Sequence, residues 1–300
     1  MTNDTMTATE PGQCRGYTSP GLEALRDHLD THLLADPLLS IQIAVQWRDQ
    51  FVVDLVGGEH LGADSITGVF SASKGVAAVA LGTLIRSGVI DLDRKVVDYW
   101  PEFAAHGKGR MTVRTLLSHQ AGLIGVDGGL SRDEFLDSEA AAARLAAARP
   151  QWRPGSAVGY HGLTIGVFME ELVRRTTGTT LQALYEATIR APLDIDFYLG
   201  LPESEERRYR EIQPMNPAPA QQAALAERNT ASDGMTALMF NSVNAAGDAS
   251  PSAALVDRAT RAAGSASVGG VGSARGLARV YAAAIGLVGD ALLDEETIGR

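Results

Sequence analysis

Three hundred residues, 45% hydrophobic and 21% charged, are enough chain to bury a substantial core, which excludes disorder as the main character. The formal net charge is -10 and no run of Lys and Arg forms a stripe, so nucleic acid is not an expected partner. Cys14 is the single cysteine; no disulfide is expected within the chain, and with no His or Asp arranged around it the thiol is a weak nucleophile candidate.

The opening MTNDTMTATEPGQC has no basic start followed by an apolar run, so it does not read as a signal peptide. AVALGTLI, bounded by Lys74 and Arg86, falls short of the roughly 18 apolar residues a membrane helix needs. A cytoplasmic protein with no membrane partner is the expectation.

Residues 1–19 read as a disordered N-terminus. Leu22, Leu25 and Leu29 then recur at helical spacing up to the break before Pro37. Leu39 to Val45 and Phe51 to Val56 are strand-like runs, joined through Trp47-Arg48-Asp49-Gln50 as a hairpin. After Gly57-Gly58 and a polar loop, Phe70-Ser71-Ala72-Ser73-Lys74 feeds the small, apolar GVAAVALGTLI, which predicts a helix buried on most sides and stopped near Gly88.

Helices dominate from Asp91 to about Arg228. Met111 to His119 alternates small apolar and polar residues, Asp133 to Arg149 reads as one Ala-rich helix ended by Pro150, and Gly162 to Thr176 as a helix closed by Gly178. Pro214, Pro217 and Pro219 keep residues 212–229 loop-like or weakly helical, and Ala231 to Phe240 and Ser273 to Ile285 read as two further helices. The layout predicts a first part of an α/β domain over 20–90, a mainly helical domain over 91–240 and a return to the α/β domain over 241–300. Two strands cannot cover these apolar helices, so the sheet is expected to be completed by strands outside the 300 residues.

Ser71 and Lys74 form an S-x-x-K pair. On a helix, i and i+3 share a face, so the amine can reach the hydroxyl, which needs a base to attack at neutral pH. Burial lowers a lysine's pKa toward the range where it accepts that proton. Taken alone, S-x-x-K is a weak signal, in an arbitrary chain far more often an N-cap serine with a lysine reaching solvent; here it opens an apolar helix, where a buried charge requires a partner. Ser73 is the competing nucleophile, better suited to capping.

Tyr160 lies in the Pro- and Gly-bounded loop WRPGSAVGYHG, from which a phenol can pass protons between nucleophile and leaving group; packing against the core is its bland alternative. His161 is a lesser candidate base, and His119 a structural or supporting histidine whose charge a helix C-terminus would favour. The histidines at 28, 32, 60, 106, 119 and 161 are dispersed, and no metal site is expected. Gly269-Gly270-Val271-Gly272-Ser273 lacks a nucleotide-binding pattern and reads as a loop lining a pocket, and G-x-S-x-G is absent.

FSASK at 70–74, GVIDLDRKVVDYWPEF at 88–103, MTVRTLLSHQAGL at 111–123, WRPGSAVGYHG at 152–162 and ARGLARVYAAA at 274–284 together resemble the β-lactamase-related serine hydrolases, the group of class C β-lactamases, D-alanyl-D-alanine carboxypeptidases and family VIII carboxylesterases. The resemblance implies a serine β-lactamase-like α/β fold, an antiparallel sheet flanked by helices plus an all-helical domain. It implies Ser71 as the acylated nucleophile with its amide as half of an oxyanion hole, Lys74 as base and Tyr160 as the tyrosine of the family's Y-x-N motif. His161 and Gly162 follow Tyr160 as candidate substrate-binding residues. Gly162 replaces the motif's amide, which favours carboxylic esters over β-lactams. The resemblance further implies that the family's third motif, on a later strand, is to be expected beyond residue 300.

The leading expectation is a serine esterase that works through an acyl-enzyme on a small-molecule ester or acyl donor, with no cofactor. Acyl transfer, β-lactam or D-amino-acid peptide hydrolysis, and a non-catalytic binding relative are the alternatives.

Overall fold

The computed structural model describes residues 12–213, 217, 219, 221–223, 234–241 and 257–299. The chain enters as strand β1 (Arg15–Thr18), where the sequence predicted disorder. Gly16 makes this strand possible: at φ +112 a side chain is strained, and a Cβ there would stand 2.0 Å from the Asp54 carbonyl oxygen. Arg26 then ties the strand down by donating to the Cys14 and Gly16 carbonyls. Residues 1–11, the rest of the predicted disordered segment, lie outside the described residues.

Helix α1 (Glu23–Ala35) lays Leu29 and Leu33 on the first sheet against Val53 and Leu55. That sheet is antiparallel, with β2 (Ile41–Trp47) and β3 (Gln50–Gly57) forming the predicted hairpin and β1 on the far side of β3. The turn falls on Arg48 and Asp49, with Arg48 in the left-handed region.

A second antiparallel sheet has the order β4-β6-β5, from β4 (Thr67–Gly68), β5 (Phe197–Leu199) and β6 (Gly270–Gly272). β6 is the glycine-rich stretch that sequence reasoning took for a loop. Its glycines are there for close approach: a Cβ on Gly270 would lie 2.6 Å from Ser73 Oγ, and one on Gly272 2.5 Å from the Phe197 ring.

Between the sheets and the helical region runs α2 (Ala72–Arg86), whose Val76, Ala77, Ala80 and Leu81 are buried. Its small residues let the helices of the helical region pack closely around it. Short 3₁₀ turns at Val96–Asp98 and within Pro101–Arg110, the latter kinked at Ala105, His106 and Gly107, lead to α3 (Val113–Leu117), capped by Thr112. The predicted Asp133–Arg149 helix is two helices, α4 (Arg132–Leu136) and α5 (Ser138–Ala147). Asp137 breaks it, adopting an extended backbone and turning its carboxylate to cap Glu139 and Ala140.

Helix α6 (Thr164–Thr177) ends at left-handed Gly178 as predicted, and α7 (Leu181–Tyr185) follows. The region 212–229 falls largely outside the described residues, as does the start of the helix predicted over 231–240, of which α8 (Met235–Met239) is seen. The described chain closes with α9 (Arg258–Ala263), α10 (Ala274–Ala284) against β2 and α2, and α11 (Glu295–Gly299). Arg275 of α10 pairs with Asp54 of β3 at 2.7 Å. The result is an α/β fold of antiparallel sheets flanked by helices, with one apolar core running from α2 through Phe103 and Phe168 to Val280. Among the described residues no helix is long and apolar enough to cross a membrane.

Candidate active site

Phe70 precedes the helix with φ +46, a conformation rare for a bulky residue. Ser73 supports it from below. Its Oγ donates to the Phe70 carbonyl at 2.5 Å and accepts the Gly270 amide at 2.8 Å, which ties the first turn of α2 to β6. Ser73 is fully buried and both roles of its hydroxyl are taken, so it holds the frame and is not the nucleophile.

Ser71 stands at the N-cap, exposed, and its side chain caps no amide of the helix. Its Oγ accepts from Lys74 Nζ at 3.1 Å and from the Tyr160 hydroxyl at 2.9 Å. The Lys74 amine also donates to the Ser267 carbonyl at 2.8 Å and lies 5.1 Å from the centre of the Tyr160 ring. No carboxylate forms an ion pair with it among the described residues. Burial therefore pushes its pKa down, with the Tyr160 hydroxyl pulling the other way. Among the described residues the Ser71 amide has no acceptor.

The loop that delivers Tyr160 is locked by His119 and His161. The His119 carbonyl accepts the Gly159 amide, and His119 Nδ1 accepts the His161 amide, both at 3.0 Å. Burial first, and then the nearby Lys74 charge, lower the His119 pKa, so the imidazole stays neutral. A helix terminus favouring its charge, as read from the sequence, is overridden. His161 is fully enclosed. Its Nε2 accepts the Leu123 amide at 3.1 Å and its Nδ1–H donates to the Gly159 carbonyl at 2.7 Å. Burial brings its pKa to about 4. With both nitrogens bound to backbone, His161 has no atom to offer a substrate or a proton, and the expectation that it binds substrate is corrected. Gly162 is buried too, its Cβ position 2.9 Å from the Met239 carbonyl oxygen, so its part in the site is to leave room for that segment.

Sequence reasoning missed Ser267 and Glu170. Ser267 lies two residues before the glycine-rich stretch, and its hydroxyl donates to the Leu163 carbonyl and accepts the Gly166 amide, fastening its segment to α6. Glu170 could have been seen as a charge inside the apolar run of the Gly162–Thr176 helix. Cys14, by contrast, is buried, and burial followed by Asp30 raises its pKa to about 11, which leaves it a protonated thiol. His28 and His32, four apart on α1, bring their Nε2 atoms within 3.2 Å, a spacing the sequence reading passed over. Among the described residues no group of three or more His, Cys, Asp or Glu could hold a metal ion.

The sequence pattern of the Beta-lactamase family matches residues 26–299. Esterase/beta-lactamase LipL of Mycobacterium tuberculosis is 37% identical over 236 residues, covering 77% of this chain and 53% of LipL. Esterase EstB of Burkholderia gladioli is 29% identical over 188 residues, 56% of this chain and 47% of EstB. The chain thus spans about half the length of these curated relatives. A solved structure of EstA from Arthrobacter nitroguajacolicus Rue61a superposes with a TM-score of 0.82 at 44% identity, covering 94% of this chain and 74% of EstA. That of a family VIII carboxylesterase gives 0.82 at 30% identity, covering 96% and 76%. A family pattern over nearly the whole chain, and a fold shared at these identities around the Ser71, Lys74 and Tyr160 cluster, establish that the chain belongs to the β-lactamase family, with its class C-like fold.

Proposed function

We propose that the protein is a serine hydrolase that cleaves a small-molecule carboxylic ester through an acyl-enzyme on Ser71. The reading is carried by one observation: the Ser71 hydroxyl lies within hydrogen-bond distance of both a partly buried amine and a phenol. A neutral Lys74 that gives one N–H to the Ser267 carbonyl can turn its lone pair to the Ser71 hydroxyl and take its proton as Oγ attacks the ester carbonyl. The Ser71 amide, without an acceptor among the described residues, donates to the oxyanion of the tetrahedral intermediate in this reading, as one half of an oxyanion hole. Tyr160 relays the proton to the departing alcohol, and water then attacks the acyl-enzyme with the same groups acting in reverse.

LipL's printed name, Esterase/beta-lactamase, supports β-lactam hydrolysis as a second reading. The residue two after Tyr160 disfavours it. Gly162 carries no amide to hold a lactam side chain, and the Met239 segment leaves no room for one.

Incubation with a fluorophosphonate followed by mass spectrometry tests the proposal. The expected result is one phosphonyl adduct on the peptide containing Ser71, absent from Ser71→Ala. A folded protein that takes no adduct there ends the reading. Parallel assays with p-nitrophenyl esters and a chromogenic cephalosporin separate the two substrate classes, with ester turnover expected to dominate.

A further inference from the structure

Lys74 can act as a base on Ser71 only if its amine is held in place, and the group that holds it is a backbone carbonyl, that of Ser267. A carbonyl has no freedom of its own, so its aim depends on what fixes the peptide chain around it. That chain, residues 264–270, is a run of tight turns in which the Val268 and Gly269 amides both return to the Ser265 carbonyl. It is anchored at its far end by Ser73, through the Gly270 amide. At its near end the anchor is Glu170, whose Oε1 accepts the Ala266 amide at 2.7 Å.

Glu170 is buried on α6, a costly place for a carboxyl group. Apart from Ala266, its Oε1 accepts only Gln182 Nε2 among the described residues, at 3.2 Å, and the same Gln182 nitrogen donates to the Gly264 carbonyl at 3.1 Å. Both bonds thus serve the segment that carries Ser267. No arginine or lysine pairs with it among the described residues, whereas the neighbouring Glu171 has two arginines. Glu171 fastens its own helix through Arg174 and Arg175, and Glu170 fastens the segment that carries Ser267.

We propose that Glu170 is a positioning residue for the acylation step: by holding the Ala266 amide it fixes the adjoining Ser267 carbonyl, and so the amine of Lys74 against the Ser71 hydroxyl. This rests on the serine-hydrolase reading and deepens it. The effect travels through one peptide unit. Misplacing a reacting group by about 1 Å can cost around 100-fold, so a loosened segment has a kinetic signature.

The test measures phosphonylation of Ser71 by a fluorophosphonate in the whole protein, separating the maximal rate from the half-saturating concentration. Glu170→Met keeps the volume and loses the acceptor; it is expected to lower the maximal rate about 10- to 100-fold with half-saturation within about twofold. Glu170→Gln keeps an oxygen at the same reach and is expected to restore the rate to within about threefold. Glu170→Asp keeps the carboxyl group and loses about 1.5 Å of reach; it should fall between them, and it decides the matter if Glu170→Met does not fold. A folded Glu170→Met or Glu170→Asp that labels at the parental rate overturns the proposal, as does a Glu170→Gln as slow as Glu170→Met. A parental protein that takes no label overturns the hydrolase reading instead, and with it any step for Glu170 to serve.

Discussion

At Lys74 two influences oppose each other. Burial disfavours the ammonium, while the Tyr160 hydroxyl favours it, and the net shift is downward. Because no carboxylate among the described residues neutralises the amine, the neutral form that a base requires is accessible at lower pH than for a solvated lysine. Lys74→Met is therefore expected to slow ester turnover by about 10²–10⁴-fold while leaving the fold intact, measured as kcat with circular dichroism as control. Lys74→Arg should be equally slow. Its guanidinium does not give up a proton in the working range, so charge and reach without basicity do not suffice. Tyr160→Phe keeps the ring against His119 and Lys74 but removes the bond to Ser71, so a loss in kcat larger than any change in KM assigns Tyr160 to proton transfer.

The first turn of α2 and strand β6 meet where there is no space for a side chain. Gly270→Ala would put a Cβ 2.6 Å from Ser73 Oγ and 2.8 Å from Phe197 Cζ, and neither neighbour is a flexible surface group. The expected cost is about 1–3 kcal/mol of stability, read as a lower denaturant midpoint, together with slower labelling of Ser71, because the substitution strains the Ser73 bridge that supports Phe70. The same tight fit explains how much was legible beforehand. The β2–β3 hairpin, α2, α6 and α10 could be read because each carries a hydrophobic period over ten or more residues or a clear turn signal. β5 and β6 could not. Three residues are too short for a period, and glycines in a strand register as a loop unless one knows that a helix turn and an aromatic ring press on them. At the site, Ser71 and Lys74 share one helical turn and so were visible as a pair. The contact of Tyr160 with Ser71 spans 89 positions, so no local spacing reveals it: the loop makes Tyr160 a candidate with core packing as the alternative, and the family resemblance strengthens it. Ser267 acts through its carbonyl, which every residue possesses, so its identity carried no signal.

Two buried groups should make the stability of the whole molecule depend on pH in opposite directions. His161, with its pKa brought from 6.5 to about 4, binds fewer protons folded than unfolded between those values, so stability falls as the pH drops from 6.5 toward 4. Glu170 is the reverse: burial raises its pKa from 4.5 to about 7, so the folded state holds a proton that the unfolded state has released, and stability falls as the pH rises from 4.5 to 7. Each shift is of order 3 kcal/mol over its full window, so the two largely offset between pH 4.5 and 6.5 and the parental profile should be shallow there. Glu170→Gln removes one arm. The variant keeps an acceptor for the Ala266 amide without a proton to lose, so it should melt higher than the parent at pH 8. That advantage should shrink steadily on acidification and be nearly gone by pH 4.5, below which the parental carboxyl group is protonated in both states. Thermal melts of the two proteins in matched buffers from pH 8 to 4.5 measure this. An offset that stays constant with pH would mean that Glu170 carries the same charge folded and unfolded, and would remove it from the pH dependence of stability.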